Sequence, residues 1–113
     1  MAFSVRVEVM KFPHDEPMLL LEAYWWNAQD LRVDDRFEYS NDTGSYEDYT
    51  AILSSEEFQI LNDKYKPSEN ESAHWSKETH ARMAIMDAVV DLVDDKHDTI
   101  RVIAFEWDSG LGD

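Results

Sequence analysis

SKETHARMAIMDAVVDLVDDKHDTIRVIAFEW, residues 76–107, contains both kinds of layer that a fold of this chain must join. After Ser76, a good N-cap residue, Ala81, Ala84, Ile85, Ala88, Val89, Leu92 and Val93 recur at three- and four-residue spacing. This is the period of a helix with one apolar side, and it predicts a helix to about residue 95 that covers a hydrophobic sheet. Residues 99–107 (TIRVIAFEW) are apolar on both faces except for Arg101 and Glu106, which suits an interior strand.

Upstream of this stretch, the polar run 67–74 (PSENESAH) reads as a loop. Before it, Ser54 or Ser55 caps a short helix. Its first turn carries Glu56 and Glu57 at the positive end of the helix dipole, and Phe58, Ile60 and Leu61 supply its apolar side. Residues 36–40 and 46–53 flank Asn41, Asp42, Thr43 and Gly44, types that tolerate a tight turn, and predict a hairpin. At the start, Phe3, Val5, Val7 and Val9 alternate with Ser4, Arg6 and Glu8, the pattern of a half-buried strand. Pro13 and Pro17 bracket an acidic turn, after which 18–26 (MLLLEAYWW) pairs back as a second strand. The expected fold is one α+β domain over residues 1–113. It is a largely antiparallel sheet of about five strands, with two helices packed on one face.

Charge dominates the composition. Twenty-five Asp and Glu against 10 Lys and Arg leave a formal net charge of -15 on 113 residues. Such a surface repels nucleic acid and anionic membranes and attracts basic proteins, with a pull that salt weakens. With 43% apolar residues and four Trp, the chain nevertheless has the material for a core. It contains no cysteine, so neither a disulfide framework nor a thiolate metal site is available. The alternating start is unlike a signal peptide, and Glu22 interrupts the longest apolar candidate for a membrane span, so a cytoplasmic protein is expected.

Two acidic groups stand out as candidate partner-binding surfaces. On the long helix, Asp87, Asp91 and Asp94 form a ridge with His80, beside a second apolar stripe of Met83, Met86, Val90 and Val93. That stripe either meets a partner, for which Met is well adapted, or packs beneath the 67–75 loop or in a homodimer. Asp91, Asp94 and Asp95 lie where the helix dipole disfavours negative charge, which fits a surface role or plain acidic solvation. Around the predicted hairpin, Asp34, Asp35, Glu38, Asp42, Glu47 and Asp48 are interleaved with Phe37, Tyr39, Tyr46 and Tyr49. Carboxylates that pair with Arg, set among Tyr rings, suit a basic groove. Trp25 and Trp26 point to opposite faces if both lie in a strand, and Trp26 joins the candidate set as the ring that leaves the core.

Phosphate mimicry by one helix ridge is too sparse. Its carboxylates recur every ~5 to 6 Å along a rise of ~1.5 Å per residue, against a charge every ~3.4 Å on one DNA strand. A second acidic row alongside is required. His14, His74, His80 and His97 follow no ligand spacing, and the three glycines form no phosphate-binding loop, so no metal or cofactor is expected. In general composition alone the chain resembles immunity proteins and nucleic-acid-mimic inhibitors. That resemblance implies a non-enzymatic acidic inhibitor which blocks a basic nucleic-acid-handling protein, such as a toxin nuclease. The alternative is a ligand-binding domain, small enzyme or assembly subunit whose acidity is an adaptation to a salt-rich cytoplasm.

Overall fold

In β1 (Ala2–Lys11), Val5, Val7 and Val9 are fully buried, as the period-two pattern requires. The computed structural model describes residues 2–11, 17–40 and 47–107, with the side chains of Ala2, Glu47 and Trp107 excepted. β1 pairs with β2 (Pro17–Glu22) and with β5 (Asp98–Trp107), while β4 (Glu47–Leu53) joins β5 to the three-residue β3 (Glu38–Ser40). The spatial order is β2-β1-β5-β4-β3, antiparallel throughout, with the last strand at the centre.

Register explains the core. Val7 stands between Leu21 and Val102, Val5 opposite Ala104, and Val9 opposite Ile100; Ala51 and Leu53 continue the same face across β4. All of these are buried, and the helices cover this face. Helix α1 (Ala28–Arg32) is capped by Asn27, whose side chain accepts from the Gln29 and Asp30 amides. Helix α2 (Ser55–Tyr65) begins directly after β4 with a full capping box, in which Ser54 bonds the Glu57 amide and Glu57 bonds back. Ser68 and Glu71 repeat the device on α3 (Glu69–Ser72), and Ser76 caps α4 (Lys77–Leu92). α2 starts over β4, whereas α4 lies toward β1 and β2. There the Lys11 ammonium bonds the Leu92 carbonyl at 3.1 Å, and Arg82 stacks on Tyr24 just past β2, 5.0 Å from the ring centre.

Four expectations require correction. The side of α4 that meets the core draws Val89 and Val93 from the expected stripe and Met86 and Val90 from the second one, while Ala81, Ala84, Ile85 and Leu92 of the expected stripe are exposed. Ala offers little area to bury, so Met and Val win the inward side. Met83 is half-buried and is no open strip. The second strand stops at Glu22, and residues 23–26 form a turn, so strand parity does not govern Trp25 and Trp26. Trp26 is 3% exposed, wedged between Phe58 and Tyr65 at ring separations of 5.6 and 5.7 Å. The short helices α1 and α3 stand in segments read as loop or left unassigned.

The face of the sheet away from the helices is also closed at its centre. Ile103 and Phe105 are 1% and 6% exposed, with the Arg6 guanidinium 5.3 Å from the Phe105 ring. Buried Glu8 receives both Nε, at 2.7 Å, and a second guanidinium nitrogen of Arg101 from the neighbouring strand. No helix among the described residues is long and apolar enough to cross a membrane.

Candidate partner-binding surface

Helix α2 stands between the two acidic groups that the chain separates in sequence. On one flank lies α4, held against it by bonds two turns apart. Asp95 accepts the Ser55 amide and hydroxyl at 3.0 and 2.9 Å, and Asp87 accepts Asn62 at 2.9 Å and Lys66 at 2.7 Å. On the other flank, the turn at Asp34–Arg36 lies within the electrostatic reach of Lys64 and Glu57. α2 buries Phe58, Leu61 and Asn62 and turns Glu56, Ile60 and Asp63 outward. Ile60 is 56% exposed and sits one turn from both Glu56 and Asp63. The result is an apolar spot rimmed by carboxylates, with Asp87, Asp91 and Asp95 as a parallel row on and just beyond α4.

The predicted residues divide by the work they do within the fold. Asp91 is exposed, with no hydrogen bond or ion pair among the described residues, and Asp35 and Glu38 are exposed too. Asp34 is engaged. Its two oxygens take Arg36 Nε and a terminal nitrogen at 3.0 and 2.8 Å, and this bonding, opposed by partial burial, lowers its pKa from 3.8 to about 2. Asp94 lies past the end of α4, where it accepts the Lys96 amide at 3.1 Å and pairs with His97 at 3.0 Å. The His97 bond is the larger reason its pKa falls below the ordinary carboxylate range. Asp98, one residue past this turn, is lowered chiefly by the Asp94 amide at 2.9 Å, with Lys11 adding at 3.3 Å.

Asp48 must be removed from the surface set. It is fully buried, opposite Phe105 and Ser40 in the sheet, because its parity in β4 turns it to the helix-free face beside the central strand. Trp26 leaves the set for the reason given above, and Asp42 and the Glu47 side chain lie outside the described residues. The carboxylates at the end of α4 therefore carry structural duties: Asp95 caps α2, and Asp94 and Asp98 lock the turn into β5.

Sequence reasoning missed the centre of this surface. Phe58, Leu61 and Tyr65 follow helical spacing while Ile60 lies off that stripe, and a strict helical projection of residues 55–65 would have turned Ile60 to solvent. It also missed an aromatic hollow of about 320 Å³ lined by Tyr24, Trp25, Trp75, Ser76 and Thr79. There Trp25 and Trp75 meet at 6.5 Å between ring centres, across residues fifty apart in the chain. Among the described residues, no three potential metal ligands converge. No protein-family model matches the chain, and neither does any curated protein or solved structure.

Proposed function

We propose that the protein is a non-enzymatic acidic inhibitor that uses the α2 surface to occupy the phosphate-binding groove of a basic, nucleic-acid-handling protein, such as a toxin nuclease, in the cytoplasm. The observation that carries this reading is exposed Ile60 flanked by Glu56 and Asp63 on α2, with the exposed carboxylates of Asp87 and Asp91 on the adjoining α4. Carboxylates on two rows steer a basic surface and pair with its Lys and Arg, and an apolar centre supplies the desolvated contact that charges alone lack. α2 adds Glu56 and Asp63 beside the α4 carboxylates, where the sequence had offered only the hairpin as a second row.

The test is capture from a lysate of the native host at low salt, with elution by a salt gradient. Three baits run in parallel: the wild type, Ile60→Lys, and the double variant Glu56→Lys with Asp91→Lys. A basic nucleic-acid-binding protein that leaves sharply with salt from the wild type, and is lost by at least about tenfold from both variants, is the expected result. Equal capture by all three baits removes α2 from the mechanism.

One observation favours the second reading, in which acidity serves solvation. Glu22, Asp30 and Glu69 are exposed on β2, α1 and α3, away from α2. In that case the aromatic hollow is the place for a ligand, and the fold loses its structure at low ionic strength, where like-charge repulsion is unscreened. Far-ultraviolet circular dichroism at ~0.01 M salt separates the readings: a folded inhibitor keeps its spectrum.

A further inference from the structure

We infer that the aromatic hollow at the start of α4 binds a proline-rich segment of another protein, flanked by basic residues and held in the polyproline II conformation. Tyr24, Trp25 and Trp75 form its wall, with Ser76 and Thr79 from the first turn of α4, around about 320 Å³. Successive ring centres lie 6.4 and 6.5 Å apart, with planes inclined at 75° and 44°. These two steps are comparable to one turn of polyproline II, three residues rising ~3.1 Å each. Proline-rich segments dock on walls of this kind because their conformation is preformed and little entropy is lost on binding. Tyr24 is 53% exposed, so a chain passing over the surface can reach the rings.

The polar groups of the lining select such a chain. Trp25 and Trp75 carry indole N–H groups, which only donate, and neither has a hydrogen bond among the described residues. The Ser76 and Thr79 hydroxyls lie 3.0 Å apart, and the Ser76 oxygen also accepts the Thr79 amide at 3.1 Å. One hydroxyl hydrogen is used between the pair, which leaves the other to donate outward. Proline has a carbonyl to accept and no amide to donate, so a proline run offers acceptors to a lining of donors.

Charge removes the rivals. The hollow adjoins the positive end of the α4 dipole, and Arg82 stacks 5.0 Å from the Tyr24 ring centre while bonding Glu78 at 2.7 Å. A bound cation would meet both positive features. A nucleotide or other free anion would meet the net charge of -15. A sugar brings hydroxyl donors as well as acceptors, and the carboxylate beside Thr79, Glu78, is already taken by Arg82. A neutral proline run avoids all three conflicts, and basic residues beyond its ends gain from the acidic surface. The inference stands apart from the α2 reading, since none of the lining residues belongs to α2.

The four Trp give four indole signals in a nitrogen-15 correlation spectrum, and Trp25→Phe and Trp75→Phe assign the two that matter. Titration with a synthetic oligoproline peptide is expected to shift both signals to saturation and to leave that of Trp26, 3% exposed, in place. A glycine-serine peptide of the same length should shift neither. Tyr24→Ala and Trp75→Ala should each weaken oligoproline binding at least about tenfold, with the circular dichroism spectrum of Tyr24→Ala unchanged. Ile60→Lys, on α2, should bind the peptide as the wild type does. Arginine added at the peptide ends should tighten binding at low salt and lose that gain at ~0.5 M salt. No saturable shift with oligoproline, an equal shift with the glycine-serine peptide, or wild-type affinity in Tyr24→Ala overturns the inference. So does a shift of the two indoles by maltohexaose or tetramethylammonium at concentrations where oligoproline has no effect.

Discussion

Asp34 and Trp26 show how little residue type says about residue role. Both were candidate contacts for a partner, and both stabilise the fold. Asp34 has a folded pKa of about 2 against an ordinary 3.8, so its contribution is fully present above about pH 4 and is lost as pH falls toward 2. Asp34→Asn is expected to lower stability by about 1 kcal/mol at pH 7, discounted for partial exposure. The deficit should shrink to nothing as pH falls through this window, as read from urea midpoints. A deficit that stays constant with pH would assign the effect to packing. Trp26→Ala should cost ~3–5 kcal/mol, because it empties the space between Phe58 and Tyr65. Trp25 and Trp26 are neighbours in the chain, and only the turn at 23–26 sends the second inward.

Element boundaries were legible where local chemistry marks them. Ser54 and Ser76 each begin a helix where a capping serine was expected, whereas Ser68, in a stretch read as loop, begins α3 with the same serine-to-glutamate capping box as Ser54. Ser54→Ala should cost ~1 kcal/mol, seen as a lower denaturation midpoint with the slope unchanged. What local chemistry could not supply was which side of α4 faces inward, since that helix carries two apolar stripes and little polar surface. The sheet beneath chose a side between them, taking Met86 and Val90 from one stripe and Val89 and Val93 from the other. Met86→Ala is therefore expected to cost ~2–5 kcal/mol, whereas Ala84→Lys, on the exposed stripe, should change stability by no more than about 0.5 kcal/mol. The reverse order of effects would turn the helix over. The acids at the end of α4 escaped sequence reasoning for a related reason: their partners, Ser55 for Asp95 and Lys11 for Asp98, are distant in the chain.

Net charge acts on the molecule as a whole. With a formal net charge of -15, thermal stability should rise between ~0.01 and ~0.5 M salt as repulsion is screened. A melting temperature that does not move with salt would show that ion pairs such as Arg36–Asp34 and Lys66–Asp87 already balance the excess locally. The sequence by itself determined the architecture: five antiparallel strands, the two longer helices on one face, and the last strand inside. Period-two and period-3.6 patterns, capping serines and a strand apolar on both faces are local signals, and burial permits only a few ways to join them. The tertiary structure alone decided the surface. Whether a carboxylate lacks a partner among the described residues, as Asp91 does, or is spent on a cap, as Asp95 is, depends on what the fold brings within ~3 Å of it. That partner stands forty residues away, beyond the reach of any local pattern.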